Sequence, residues 1–150
     1  MRAVIQRVER ADVTIAGRSV AAIGRGLLVL VGVETGDGPA DADWLAEKIV
    51  RMRIFADDEG RMNRCVHEIG GDVLVVSQFT LHASTQKGNR PSFMRAARPE
   101  EAVPLYERFM ASVEASIGRS VHRGEFGADM RVGLVNDGPV TIVVDSRRRE

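Results

Sequence analysis

The sequence predicts a single α+β domain, residues 1–150, with a mixed or antiparallel, barrel-like sheet and two main helices. Three observations carry this. Leu27-Leu28-Val29-Leu30-Val31 and Val73-Leu74-Val75-Val76 are continuous apolar runs with Gly24, Gly26, Gly70 and Gly71 before them, the pattern of buried strands. Only two segments place apolar residues at helical spacing, too few for a doubly wound fold. Three strand-like pieces, 120–126, 131–135 and 140–145, close the chain.

Taken in order, residues 2–8 and 12–16 read as strands, and Gly17 supplies a turn before a third strand over 18–23. Gly36-Asp37-Gly38-Pro39 is a loop. Beyond it Trp44, Leu45, Ile49 and Met52 share one helical face, and Asp41, Asp43 and Glu47 supply the acidic start that a helix dipole favours. Asp57-Asp58-Glu59-Gly60 is a tight turn. The run at 73–76 continues straight into Ser77-Gln78-Phe79-Thr80-Leu81. Residues 82–98 are irregular, with Gly88, Pro91 and Pro99 as breakers. Tyr106, Phe109, Met110, Val113 and Ile117 form the apolar stripe of the second helix, which Gly118 ends.

Composition narrows the class. With 44% apolar and 28% charged residues, the chain has ordinary globular make-up. The lone Cys65 excludes an internal disulfide and reads as a small packing residue. The longest apolar run, 27–33, is too short to span a bilayer, and the first residues carry charges where a signal peptide needs apolar side chains. The expectation is a soluble, cytoplasmic protein with no membrane partner. The 21 basic and 21 acidic residues balance, so nothing global marks a nucleic-acid binder. Locally, Lys87, Arg90, Arg95 and Arg98 stand together without an acid between them. Arg147, Arg148 and Arg149 read as a frayed tail.

No phosphate loop, zinc spacing, dinucleotide fingerprint or nucleophile elbow is present. His67, His82 and His122 are scattered and read as surface or core histidines. Two segments stand out. Ser77-Gln78-Phe79-Thr80-Leu81 ends a buried strand with hydroxyls and an amide, although a polar strand end capped by its own hydroxyls explains it equally well. Asn136-Asp137-Gly138-Pro139-Val140-Thr141 lies between two strand-like pieces and reads as a β-turn.

Together these segments resemble the D-aminoacyl-tRNA deacylase family in its bacterial and eukaryotic form. Arg90-Pro91-Ser92-Phe93, Ile5-Gln6-Arg7-Val8, Gly26-Leu27-Leu28-Val29-Leu30 and Phe126-Gly127-Ala128-Asp129-Met130 extend the resemblance over nearly the whole chain. The resemblance implies a homodimer with active sites at the subunit interface, acting on the acceptor end of aminoacyl-tRNA without metal or cofactor. It implies that Ser77, Gln78, Phe79 and Thr80 form the catalytic wall. Gly138 and Pro139, joined by a cis peptide, would screen chirality in the partner's site, with Met130 packed nearby. Lys87, Arg90, Arg95 and Arg98 become candidates for tRNA contact.

Two mechanisms stay open. Backbone amides at 77–80 can stabilise the ester oxyanion while the ribose 2′-hydroxyl activates water, or Thr80 can act as a nucleophile. Two rival functions also stand: an RNA-binding module gripping a backbone through residues 87–98, and a ligand-binding or scaffold protein with a pocket at a dimer seam.

Overall fold

A strand buried on both faces must be apolar at every position, and the two apolar runs take that place. The computed structural model describes residues 1–149. Strand β3 (Gly26–Gly32) pairs in parallel with β6 (Asp72–Ser77) at the centre of the sheet. Leu27, Val29, Val31, Val73 and Val75 point to one core, and Leu28, Leu74 and Val76 to another. This is the period-2 alternation of strands with both faces covered.

The rest of the sheet grows from β1 (Arg2–Ile15), which pairs antiparallel with β3 through its first half and with β2 (Arg18–Ile23) through its second. On its other edge β1 pairs along its length with β8 (Arg131–Asp145). The order is β2-β1-β3-β6-β7, with β7 (His122–Arg123) parallel to β6. Strand β2 curls back toward β6 and β7, so this mixed sheet nearly closes into a barrel around Val8, Val13, Ile23, Leu28 and Leu74.

Helices α1 (Pro39–Val50) and α2 (Pro99–Ile117) pack together over the outer face. Each begins with proline at its first turn, where the missing N–H costs no helical bond. The Asp41 carboxylate accepts a 2.9 Å bond from the Gly38 N–H and so ties down the start of α1. Tyr106, Phe109, Met110, Val113 and Ile117 face the sheet as their spacing predicts, and burial of a side chain the size of Phe109 contributes about 1.5–3 kcal/mol. Gly118, left-handed at φ 72°, closes α2.

Four expectations are corrected, and one short hairpin is added. Residues 2–8 and 12–16 are one strand, because β8 offers partners along the whole of β1. The segment 120–126 holds only the two-residue β7. A short hairpin, β4 (Phe55–Ala56) and β5 (Met62–Arg64), flanks the 57–60 turn and is too short to show periodicity. Phe79–His82 is a 3-10 turn and not a strand continuation. The arginine tail is anchored: Arg147 pairs with Asp37 at 2.9 Å, and Arg149 lies 4.3 Å over the Trp44 ring.

The remaining difference shapes the site. Residues 136–139 do not reverse the chain between two strands; they lie inside β8. Gln6 faces Thr141 and Val8 faces Asn136, so residues 137–140 stand opposite Arg7 alone. The turn chemistry is used for a wide bulge, since β1 continues to supply partners on both sides of it.

Candidate active site

The strand-end motif, the 3-10 turn and the loop before α2 enclose an open cleft of about 640 Å³. Its floor is Val31, Gly32 and Val33 at the end of β3, with Val76 and Ser77 of β6. One wall is Gln78 and Phe79, and the facing wall runs from Phe93 through Arg98 to Tyr106. Phe126, Met130 and Asp129 close the far end. Apolar and aromatic side chains dominate, with Phe79 and Phe93 edge to face at 5.3 Å. The Tyr106 hydroxyl, pushed up to about 12 by burial, donates to the Val75 carbonyl and serves packing.

Sequence reasoning placed Ser77, Gln78, Phe79 and Met130 in a site, and all four line the cleft, with Arg98 on its wall. Thr80 sits on the turn behind Phe79. Gln78 Nε2 donates to Thr80 Oγ1 at 2.5 Å, which is the contact made by that hydroxyl among the described residues. A donor aimed at an oxygen withdraws electron density from it. The Phe79 and Thr80 N–H groups, the first of the 3-10 turn, have no backbone partner among the described residues. Such orphan donors are a general property of helix starts.

Lys87 and Arg90 are exposed on the loop beyond the cleft and form no ion pair among the described residues. Arg95 differs: its Nε donates to Glu34 Oε1 at 2.6 Å. Gly138 and Pro139 are exposed and lie outside this chain's own cleft. Their peptide bond is cis, as expected. The bulge that carries them is held from beneath. Arg7 Nε donates to the Asp137 carbonyl at 3.1 Å, Arg7 Nη1 donates to the Ile54 carbonyl at 2.5 Å, and Asn136 bonds Gln6 at 2.7 Å.

Sequence reasoning missed Glu34, His82 and Arg7 as parts of this framework. His82 is buried under the 3-10 turn, and neither ring nitrogen has a hydrogen-bond partner among the described residues. It packs against Gly32, where an added Cβ would stand 2.7 Å from the Gln78 carbonyl oxygen and 3.1 Å from the imidazole. Only glycine permits so close an approach. Burial holds the imidazole below its ordinary 6.5; nearby Arg2 acts the same way, while the Gly32 main chain and Glu34 oppose it.

The consequence is acid lability. Above 6.5 the ring is neutral in both folded and unfolded chains, and its contribution is intact. As pH falls through 6.5 the unfolded chain takes up the proton first, and stability declines until the depressed folded value is passed. Urea midpoints should therefore drop between about pH 7.5 and about pH 5.5. In His82→Gln, whatever its absolute stability, the drop should flatten; an equal drop in both proteins would contradict this assignment.

Known proteins can now be set beside this geometry. The family model described as D-Tyr-tRNA(Tyr) deacylase matches residues 4–145. The chain belongs to the D-Tyr-tRNA(Tyr) deacylase family. Similar relatives include proteins named D-aminoacyl-tRNA deacylase from Opitutus terrae, 63% identical, and Akkermansia muciniphila, 60% identical, each aligned over 100% of both chains. Among solved structures, one titled c-Myc DNA Unwinding Element Binding Protein superposes with a TM-score of 0.91 at 38% identity, covering 97% of this chain and 98% of its own. A probable eukaryotic D-amino acid tRNA deacylase has a TM-score of 0.81 at 19% identity over 95% of this chain and 97% of its own, a likeness of fold. No helix among the described residues of this family member is long and apolar enough to cross a membrane.

Proposed function

We propose that this chain is a D-aminoacyl-tRNA deacylase, hydrolysing the ester between a D-amino acid and the terminal ribose of tRNA. The observation that carries this reading is a pair of N–H groups, Phe79 and Thr80, without a backbone partner among the described residues, at the turn whose Phe79 walls an apolar, aromatic cleft. Such a cleft suits a splayed-out terminal base, which aromatic faces hold by stacking. The N–H pair suits an ester carbonyl as it becomes an oxyanion.

In this mechanism water attacks the ester carbon and the tetrahedral oxyanion leans on the two amides. The carbon–oxygen bond to the ribose then breaks, and the leaving oxygen takes the proton. The vicinal 2′-hydroxyl of the substrate orients and activates the water. Ser77 and Gln78 set the wall, and Thr80 is held by Gln78 rather than primed for attack. An aminoacyl ester is already activated, so positioning and oxyanion stabilisation suffice. Lys87, Arg90 and Arg98 flank the mouth as phosphate contacts.

Chirality is read by a second copy of the chain. The Gly138-Pro139 bulge is exposed and lies outside its own cleft, and β8, which carries it, pairs only with β1 among the described residues. Exposed Leu134 and Val143 lie on the same strand. These features support a homodimer in which each bulge enters the partner's cleft and its main chain excludes the side chain of an L-amino acid. Light scattering should show a dimer at micromolar concentration; an active monomer would overturn the cross-subunit filter. The operating compartment on this reading is the cytoplasm, where aminoacyl-tRNA is found.

A second reading, a nucleic-acid binder without chemistry, is favoured by the printed name of the 38% identical structure. Incubation with D-tyrosyl-tRNA separates the two: the hydrolase releases free D-tyrosine over many turnovers, whereas the binder only retards the tRNA.

A further inference from the structure

Glu34 stands behind the cleft floor, where both walls meet. Its neighbour Val33 lines the cleft, but Glu34 does not. Its side chain is 10% exposed, and an unpaired carboxylate at such a place is costly. The pairing is supplied from two directions. Oε1 accepts a hydrogen bond from Arg95 Nε and is ion-paired with Arg95 Nη2, from the wall opposite the 3-10 turn. Oε2 lies 3.6 Å from Arg147 Nη1 on the C-terminal tail, and the His82 ring, neutral above 6.5, packs 3.9 Å away without a hydrogen bond. The backbone follows the same path: Thr35 donates to the Arg95 carbonyl and Ala97 to the Val33 carbonyl, both at 3.0 Å.

We infer that Glu34 is a positioning residue for the deacylation: its carboxylate latches the 93–98 wall to the cleft floor and to the C-terminal tail, and so fixes the width of the cleft. This rests on the deacylase reading above. Arg95 is accordingly a structural cation, unlike Lys87 and Arg90. Burial alone would raise the Glu34 carboxyl, but the hydrogen bond and charge of Arg95, with His82 and Arg147, hold it below the usual carboxylate range.

The test compares Glu34→Gln, Arg95→Gln, their double variant and Lys87→Ala. It measures D-tyrosyl-tRNA cleavage over a series of salt concentrations and amide hydrogen exchange at Thr35 and Ala97. Glu34→Gln should lower kcat/KM on the order of tenfold, chiefly through kcat, because a loosened wall misplaces the ester. Exchange at Thr35 and Ala97 should quicken on the order of tenfold. Arg95→Gln should reproduce both effects, the double variant should be no worse than either, and the salt dependence should stay that of the wild type. Lys87→Ala should instead reduce the salt slope by about one unit.

The inference is overturned if Glu34→Gln leaves cleavage and exchange unchanged, or if Arg95→Gln reduces the salt slope as a phosphate contact does. Should Glu34→Gln fail to fold, Arg95→Gln, altered at the half-exposed end of the pair, decides the question. Should the wild type cleave no D-aminoacyl-tRNA, the deacylase reading fails, while the exchange measurements still decide whether the latch exists.

Discussion

A D-tyrosyl ester on tRNA whose terminal adenosine lacks the 2′-hydroxyl is expected to be cleaved at least about a hundredfold more slowly than the natural ester, the usual scale of a lost general acid–base group. Thr80→Ala, by contrast, should retain substantial activity. The Thr80 hydroxyl receives a proton donor from Gln78 at 2.5 Å, and no imidazole, amine or carboxylate bonds it among the described residues. His82, two residues on, is turned into the core beneath it. A covalent nucleophile would lose several orders of magnitude on such a change. Single-turnover rates with both substrates and both proteins separate the mechanisms. A dead Thr80→Ala alongside normal cleavage of the deoxy substrate would establish the nucleophile instead.

The second large effect belongs to Gly138. Its φ of +131° lies where L side chains are strained, and an added Cβ would come within 2.9 Å of Val140 Cγ2 and 3.1 Å of Arg7 Nη2. Arg7 cannot yield freely, because the same guanidinium holds the Asp137 and Ile54 carbonyls. Gly138→Ala should therefore displace the bulge, lowering kcat/KM for D-tyrosyl-tRNA on the order of a hundredfold and narrowing discrimination against the L-ester. In the wild type, glycyl-tRNA should be cleaved to some extent, since glycine offers no side chain to exclude. Wild-type kinetics in Gly138→Ala, or complete refusal of glycyl-tRNA at every enzyme concentration, would refute a main-chain filter.

How far the sequence reveals this site depends on the scale of each signal. The central strands were legible because Leu27 to Val31 and Val73 to Val76 must be apolar on both faces. The second helix was legible because its buried stripe repeats over several turns. The bulge was not: Asn136-Asp137-Gly138-Pro139 has the chemistry of a chain reversal, and only the register against β1 shows that the strand continues. The short β4–β5 hairpin lies below the length at which alternation can be read.

The candidate site divides the same way. Ser77, Gln78, Phe79 and Met130 were indicated by motif and resemblance, and they share one cleft. Glu34 and Arg95 act through a pairing that spans 61 positions in the chain, and spacing carries no trace of it. Arg95 shows the cost of reading charge by composition: in sequence it belongs to a basic stretch, whereas in the fold its charge is engaged by a buried carboxylate.

The most direct test of the central claim is the ratio of kcat/KM for D-tyrosyl-tRNA to that for L-tyrosyl-tRNA with the unmodified protein. The deacylase reading predicts catalytic release of D-tyrosine and an L-ester that outlasts many turnovers of the D-form. Comparable cleavage of both esters would contradict the chiral filter, and cleavage of neither would contradict the assignment of this cleft as a deacylase site.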